Sequence, residues 1–264
     1  TCYFSKCQLT YSGGEMKGKK TESITMTLNL RGKNIVMSNA ITRAAQSLSL
    51  AEKRIIFAAI AKMGGQYTPI KITAEEYANT FGMPLKQAYS QLKIAADNFF
   101  NRYISFRINE VSETDVDVWK IRWLGAYKYN EGEAHVVLSF TPQVTPYLCE
   151  LEENFTKYQL SQACGLRSVH SWRLLELFEQ MNTHKDNNGW LSISLDDFHH
   201  AMESPESYKK TFGLLRERVI EPAVKELTEK DNWIIQWKPL KRGKKVVRLE
   251  FWFQKDEQSK IIKN

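Results

Sequence analysis

The chain has 264 residues, 42 % of them hydrophobic and 25 % charged, which suits one or two ordinary domains and excludes wholesale disorder. No apolar run approaches the ~20 residues of a membrane span, no secretory leader is expected, and four scattered cysteines (Cys2, Cys7, Cys149, Cys164) exclude a disulfide framework. With 37 basic against 30 acidic residues the net charge is +7, a weak pointer to a polyanionic partner in a soluble protein of a reducing compartment.

Residues 1–30 are expected to form a flexible arm. Gly13-Gly14-Glu15 directly precedes Met16, and purine-rich codons for that tripeptide would resemble a bacterial ribosome-binding site. Met16 therefore reads as the natural start and residues 1–15 as non-native; a native peptide covering Cys2 to Tyr11 would exclude this. Gly13-x4-Gly18-Lys19-Lys20 is a near-miss phosphate loop, because Lys20 stands where Ser or Thr must hold magnesium. Cys2-x4-Cys7 has no second pair at zinc spacing, so no metal site is expected.

The first unit begins with Ser49-Leu50-Ala51-Glu52, a capping box that starts a buried helix running through Met63. Ile70-Lys71-Ile72-Thr73 is a short strand, and Thr73 with Glu76 is a second capping box opening a short helix. After the break Gly82-Met83-Pro84 comes a longer helix, about Leu85 to Asn101, built on Tyr89, Leu92, Ala96, Phe99 and Phe100. It shows mostly Gln and Asn outward, with Lys86 and Lys93 as possible secondary DNA contacts. Trp119, Ile121 and Trp123 alternate along one strand, and Val136, Leu138 and Phe140 along its expected return. The wing between them carries Glu131 and Glu133. Pro142 and Pro146 interrupt the pattern, which places the join near residues 141–155.

The second unit repeats this order. A helix from Ser168 to Met181 carries Trp172, Leu175 and Phe178 on one stripe. Leu191-Ser192-Ile193-Ser194-Leu195-Asp196-Asp197-Phe198 matches Ile70 to Tyr77, again strand and capping box. Ser204-Pro205 breaks the chain before a longer helix in which Phe212, Leu215, Val219, Ala223 and Leu227 form a core stripe at ~100° per residue. Lys210, Arg218 and Lys225 fall opposite the stripe and Arg216 nearer to it; Pro222 should kink the helix or shift its phase. Trp233, Ile235 and Trp237 are answered by Val247, Leu249, Phe251 and Phe253 across a turn. Lys238, Lys241, Arg242, Lys244, Lys245 and Arg248 place six positive charges and no acid in eleven residues. His199-His200 lacks ligand spacing and is expected to pack near a helix end. Cys149 and Cys164 are expected in the core. No motif orders Ser, His and acids for catalysis.

Helix, small strand, helix, helix and hairpin is the order of a winged helix, so the fold expected is α+β with two tandem winged-helix domains. Their bounds are 31–150 and 151–254, with a tail over 255–264. Lys and Arg on the second long helix and its wing suit DNA phosphates, and Arg also suits guanine edges. An acidic first wing would be repelled by phosphate, so the first unit should bind DNA more weakly or serve to pair protomers.

The residues also resemble a known family, the initiator (Rep) proteins of theta-replicating bacterial plasmids that bind iterons. The resemblance spans about Lys33 to Gln254. It rests on Ile35-Val36-Met37-Ser38-Asn39, Leu48-Ser49-Leu50-Ala51-Glu52-Lys53-Arg54, Ser168-Val169-His170-Ser171-Trp172-Arg173-Leu174-Leu175-Glu176-Leu177, and Ser207-Tyr208-Lys209 leading to Val219-Ile220-Glu221-Pro222-Ala223-Val224-Lys225-Glu226-Leu227. Lys241-Arg242-Gly243-Lys244-Lys245 before Leu249-Glu250-Phe251 completes it. The resemblance implies a monomer that binds direct repeats of a plasmid origin and helps open the duplex. It also implies a dimer, joined through the first domain, that represses its own gene at an inverted repeat. Host initiator and replicative helicase are the implied partners, with no cofactor, membrane or catalysis, in the bacterial cytoplasm. Lys209, Lys210, Arg216 and Arg218 are the implied base readers. A winged-helix repressor and an origin-nicking enzyme are the rival readings; the second lacks the paired-histidine motif it needs.

Overall fold

A computed structural model describes residues 29–65, 69–112, 115–130, 132–149, 151–183 and 188–256. The expectations for Met16 and the residues before it, the Gly13–Lys20 loop, Cys2, Cys7, Glu131 and the tail beyond Asp256 lie outside these residues.

In the first unit the order is β1 (Asn34–Ser38), α1 (Asn39–Arg43), α2 (Leu50–Met63), β2 (Ile70–Thr73), α3 (Ala74–Phe81), α4 (Leu85–Phe100), β3 (Tyr103–Ser112), β4 (Asp115–Arg122), β5 (Leu124–Asn130) and β6 (His135–Phe140). There follow β7 (Phe155–Gln159), α5 (Ser161–Cys164), α6 (Val169–Met181), β8 (Asn182–Thr183), β9 (Asn188–Ser194), α7 (Leu195–Met202), α8 (Glu206–Lys210), α9 (Phe212–Leu215), α10 (Glu221–Asp231), β10 (Trp233–Arg242) and β11 (Lys245–Lys255). Helix, strand, helix, helix and hairpin thus occur twice: α2-β2-α3-α4-β5/β6 and α6-β9-α7-(α8 to α10)-β10/β11.

Local chemistry explains the starts. Ser49 caps α2 with a complete box, its hydroxyl accepting from the Glu52 amide while the Glu52 carboxylate accepts from the Ser49 amide. At Thr73 and Ser194 only the hydroxyl arm forms. Glu76 turns instead to Lys62 at 2.7 Å, and Asp197 accepts from the Ser194 hydroxyl and pairs with Arg107. The expected boxes are half-boxes because both carboxylates have cationic partners to reach. The stripe of the second long helix is as expected, with Leu215, Val219, Ala223 and Leu227 all buried.

Three expectations need correction. First, Trp119 and Ile121 do not pair with Val136–Phe140. β4 pairs with β3, placing Trp119 opposite Phe106, and the wing of the first unit is β5 with β6, which also carries β2. Period-two patterning marks a strand but not its partner, and Trp123 marks the corner where β4 gives way to β5. Second, the second long helix is broken. Thr211 is extended (φ −135°, ψ 100°), so Lys209 and Lys210 sit on the separate short helix α8 and the angular placement of Lys210 does not carry over. Residues 216–220 form a widened π turn directly before Pro222. Pro222 has no N–H for the carbonyl four residues back, and a turn paired five residues on accommodates that loss. Third, Val247 is exposed, while Leu249, Phe251 and Phe253 are buried. The ladder slips between Leu240 and Lys241, and the hairpin beyond projects from the core.

The two units are closely joined. β7 returns past Pro142 and Pro146 to pair antiparallel with β1, Val36 opposite Lys157. α6 is buried on all sides, including Arg173 and Glu176. At its centre Glu176 accepts from Lys53 at 2.7 Å, both side chains fully buried, and from Arg173. Arg173 also donates to the carbonyls of Thr42, Ala44 and Ala201. Lys53 further donates to Gln46 Oε1 at 2.6 Å, and the Tyr158 hydroxyl donates to Glu176. Burial lowers the Lys53 ammonium to about 7, against the pull of Glu176. Across the same joint the Glu203 carboxylate accepts from the amides of Gln46 and Ser47. Cys149 and Cys164 are buried thiols of the core, and burial pushes Cys164 up to about 11.

Candidate nucleic-acid interface

The basic cluster of the second unit is built on a hairpin whose turn is Gly243-Lys244. Gly243 has φ +63°, in the left-handed region that glycine enters without a Cβ clash. Arg242 faces Lys245 across the ladder, so the cations gather at the tip. Among the described residues Lys241, Arg242, Lys244 and Lys245 are exposed and have no acidic partner. Two other members of the run are tied lower on the same hairpin. Lys238 pairs with Glu250 at 3.4 Å and rests over Trp252, and Arg248 donates to the hydroxyl and carbonyl oxygens of Ser192.

On the helical side, Arg216 and Arg218 both lie in the π turn, more than half exposed. Their partners are Glu221 at 3.4 Å and Glu217 at 3.3 Å. Exposed ion pairs of this kind contribute ~0–1 kcal/mol, so either guanidinium can exchange its carboxylate for a phosphate at little cost. Lys209 pairs with Glu206 at 2.5 Å, and that ammonium holds the Glu206 carboxyl below the usual range. Lys210 is exposed without a partner among the described residues. The geometry therefore brings Arg216 and Arg218 together on one turn and the wing cations on one tip, but separates Lys209 and Lys210 from the long helix.

The corresponding surface of the first unit is of another kind. α4 presents Lys86, Gln87, Ser90, Lys93, Ile94, Asp97 and Asn98 outward. Lys93 lies over the Tyr129 ring and Asp97 accepts from the Tyr127 hydroxyl, so the helix is fastened to its own wing. Glu133 is engaged by Lys71 and His135.

Sequence reading missed a second set of cations. Arg107, Lys120 and Arg122 lie on the β3–β4 ribbon; Ser105 faces Lys120 and Tyr103 faces Arg122. The alternation of Tyr103-Ile104-Ser105-Phe106-Arg107 announced this strand, but with β4 assigned to the wing it had no partner. The buried Lys53–Glu176–Arg173 group was missed as well. All three residues stand in the quoted motifs, yet nothing in their spacing told that they meet.

Two helix-strand-helix-helix-hairpin units in series, the second with a cationic helix turn and a cationic wing, define a tandem winged-helix protein. The family model described as "Initiator Replication protein, WH1" matches residues 34–179, and "Initiator Rep protein, WH2" matches 194–253. The chain belongs to this family of replication initiators. Its fold superposes on the crystal structure of Pi initiator protein in complex with iteron DNA with a TM-score of 0.73, at 21 % identity, covering 86 % of this chain and 99 % of that one. It is also 24 % identical over 214 residues to an uncharacterized 27.6 kDa protein of Escherichia coli, covering 74 % of this chain and 85 % of the other.

Proposed function

We propose that this initiator binds the direct repeats of a plasmid origin as a monomer, with the second unit as principal reader. The observation that carries this is the cationic tip Lys241–Lys245, without acidic partners among the described residues, on the same winged helix as the exposed Arg216 and Arg218. The helix-turn-helix places its second helix in the major groove, where Arg reads guanine bidentately. The wing ammonium groups and Arg242 bind phosphate and release counterions. Lys209, Lys210, Lys238 and Arg248 flank this surface as phosphate contacts, and Lys86 and Lys93 are secondary contacts of the first unit. Likeness to a protein crystallised on iteron DNA supports the choice of ligand.

On this reading residues 31–150 and 151–254 are the two repeats of one plan rather than separable bodies. The first unit also pairs two protomers, and that dimer represses the chain's own gene at an inverted repeat. Host initiator and replicative helicase are the partners at the opened origin, in the bacterial cytoplasm. The protein acts by binding, not by catalysis.

A salt-titrated gel shift with origin direct repeats and the operator as separate probes tests this. A ladder of complexes on the direct repeats, one per repeat, is expected. Binding to the inverted repeat alone would make the chain a repressor and overturn the initiator reading at these repeats.

A further inference from the structure

A cleft of about 680 Å³ opens between the two units. One wall is the β3–β4 ribbon with Tyr103, Arg107 and Lys120; the other is the end of α7, the turn after it and α8, with His199, Ser204, Lys209 and the carboxylates of Glu203 and Glu206, the latter paired with Lys209 and exposed enough to give it up to a phosphate. The Lys120 ammonium lies 4.8 Å from the centre of the Tyr103 ring and makes no ion pair among the described residues. Arg107 reaches Asp197 at 3.3 Å. Two polar side chains on the opposite wall are buried without hydrogen-bond partners among the described residues. His199 is 3 % exposed with neither ring nitrogen hydrogen-bonded, and Ser204 is 7 % exposed with a free hydroxyl. Leaving such groups unpaired costs about 1–3 kcal/mol each, so the cleft is unsatisfied as it stands. The nearby His200 is not: its Nε2 lies 3.1 Å from the Ser105 carbonyl and 3.3 Å from the Ala45 amide.

We propose that this cleft holds a phosphate of the duplex backbone between the two winged helices, with Lys120, Lys209, Ser204 and His199 as donors. The inference rests on the DNA-binding reading above and adds a contact shared by both units. A phosphodiester is an anion that only accepts hydrogen bonds, which matches ammonium groups, a hydroxyl and an imidazole N–H. Burial, and next the Lys209 charge, keep the His199 pKa low, so the ring is neutral and donates through one nitrogen. The position also fits. α7 is the first helix of its helix-turn-helix, and in that motif the first helix crosses the backbone while the second enters the groove. The turn at Glu203–Pro205 is therefore the part of the second unit set against phosphate, and the β3–β4 ribbon brings the first unit's cations to the same place.

Inorganic phosphate and phosphate-bearing metabolites share this chemistry, so the test has two arms. In the first, ethylation interference and salt titration on a duplex with the origin repeat compare the full wild-type chain with Lys120→Gln and Ser204→Ala. Lys120 is exposed, so its variant folds whatever the fate of Ser204→Ala. Ethylation of one or two phosphates between the two groove footprints should block wild-type binding and not that of Lys120→Gln, whose salt slope should fall by about one unit. The same slope and the same block in Lys120→Gln would overturn the proposal. In the second arm, phosphorus NMR follows inorganic phosphate with both chains. Phosphate binding lost in Lys120→Gln, with the interference pattern unchanged, would assign the cleft to a small anion and overturn the backbone contact. A wild-type chain that fails to bind the repeat at all would defeat the DNA reading itself; one that binds without the block defeats only the cleft.

Discussion

The two winged helices share a plan and differ in what they do with charge. In the first, several outward side chains of helix and wing engage neighbours of their own unit: Lys93 lies on Tyr129, Asp97 on Tyr127, and Glu133 on Lys71 and His135. In the second, the wing tip leaves four cations without acids among the described residues, and the helix pairs its arginines with exposed, exchangeable carboxylates. A duplicated fold can thus keep one copy as a closed body and the other as an open polycation, with the same core periodicity beneath both. Between them the order inverts again, since the joint buries charge completely in Lys53, Glu176 and Arg173.

Breaking that joint should have the largest effect. Glu176→Gln leaves the buried Arg173 guanidinium facing an amide and drives Lys53 further toward its neutral form, and the loss of stability should be about 3–5 kcal/mol in urea unfolding; a loss below about 1 kcal/mol would mean that the joint does not depend on this carboxylate. Next, changing Arg242, Lys244 and Lys245 together to Ala should flatten the salt slope of DNA binding by up to about three units. An unchanged slope would erase the contrast between the wings. The joint also has a pH signature. Folding lowers Lys53 from 10.5 to about 7, so between these values the unfolded chain holds the extra proton. This group should make stability rise from about pH 7 toward 10, by at most ~1.4 kcal/mol per unit. Denaturant midpoints of Lys53→Met over pH 7 to 9 should lack that rise; parallel curves for the two chains would count against it. Smallest of all, Glu133→Lys should steepen the DNA salt slope by less than about one unit, and Lys86→Ala with Lys93→Ala should flatten it by a similar amount. Equal effects from both wings would make the two units equivalent readers.

The plan of the fold was legible because it is written in local signals. Ser49 with Glu52 begins a helix wherever it stands, and Leu215, Val219, Ala223 and Leu227 mark one face by spacing alone. The wing was legible because a glycine and six cations crowd one turn. What escaped was pairing: alternation gives Trp119 a strand but not Phe106 as its neighbour, and β1 gives no hint of β7. The break at Thr211 escaped because no proline stands at it and the nearby Gly213 lies inside the short helix that follows rather than at the break. Buried polar groups escaped for a related reason. Lys53 and Arg173 look like surface residues until the chain closes over them, and His199 looks like one of an ordinary pair until its ring nitrogens prove unpartnered.

The pairing of β1 with β7 also sets a timetable. Val36 meets Lys157, some 120 residues later in the chain. At roughly 5–20 residues per second on the ribosome, β1 is made about 6–25 seconds before its partner. Until then the β1 strand that carries Ile35 and Met37, both fully buried in the finished protein, keeps an unpaired edge. The first unit is begun first in synthesis but completed only when the second has started, so the nascent chain spends that interval with an edge open to pairing with another chain.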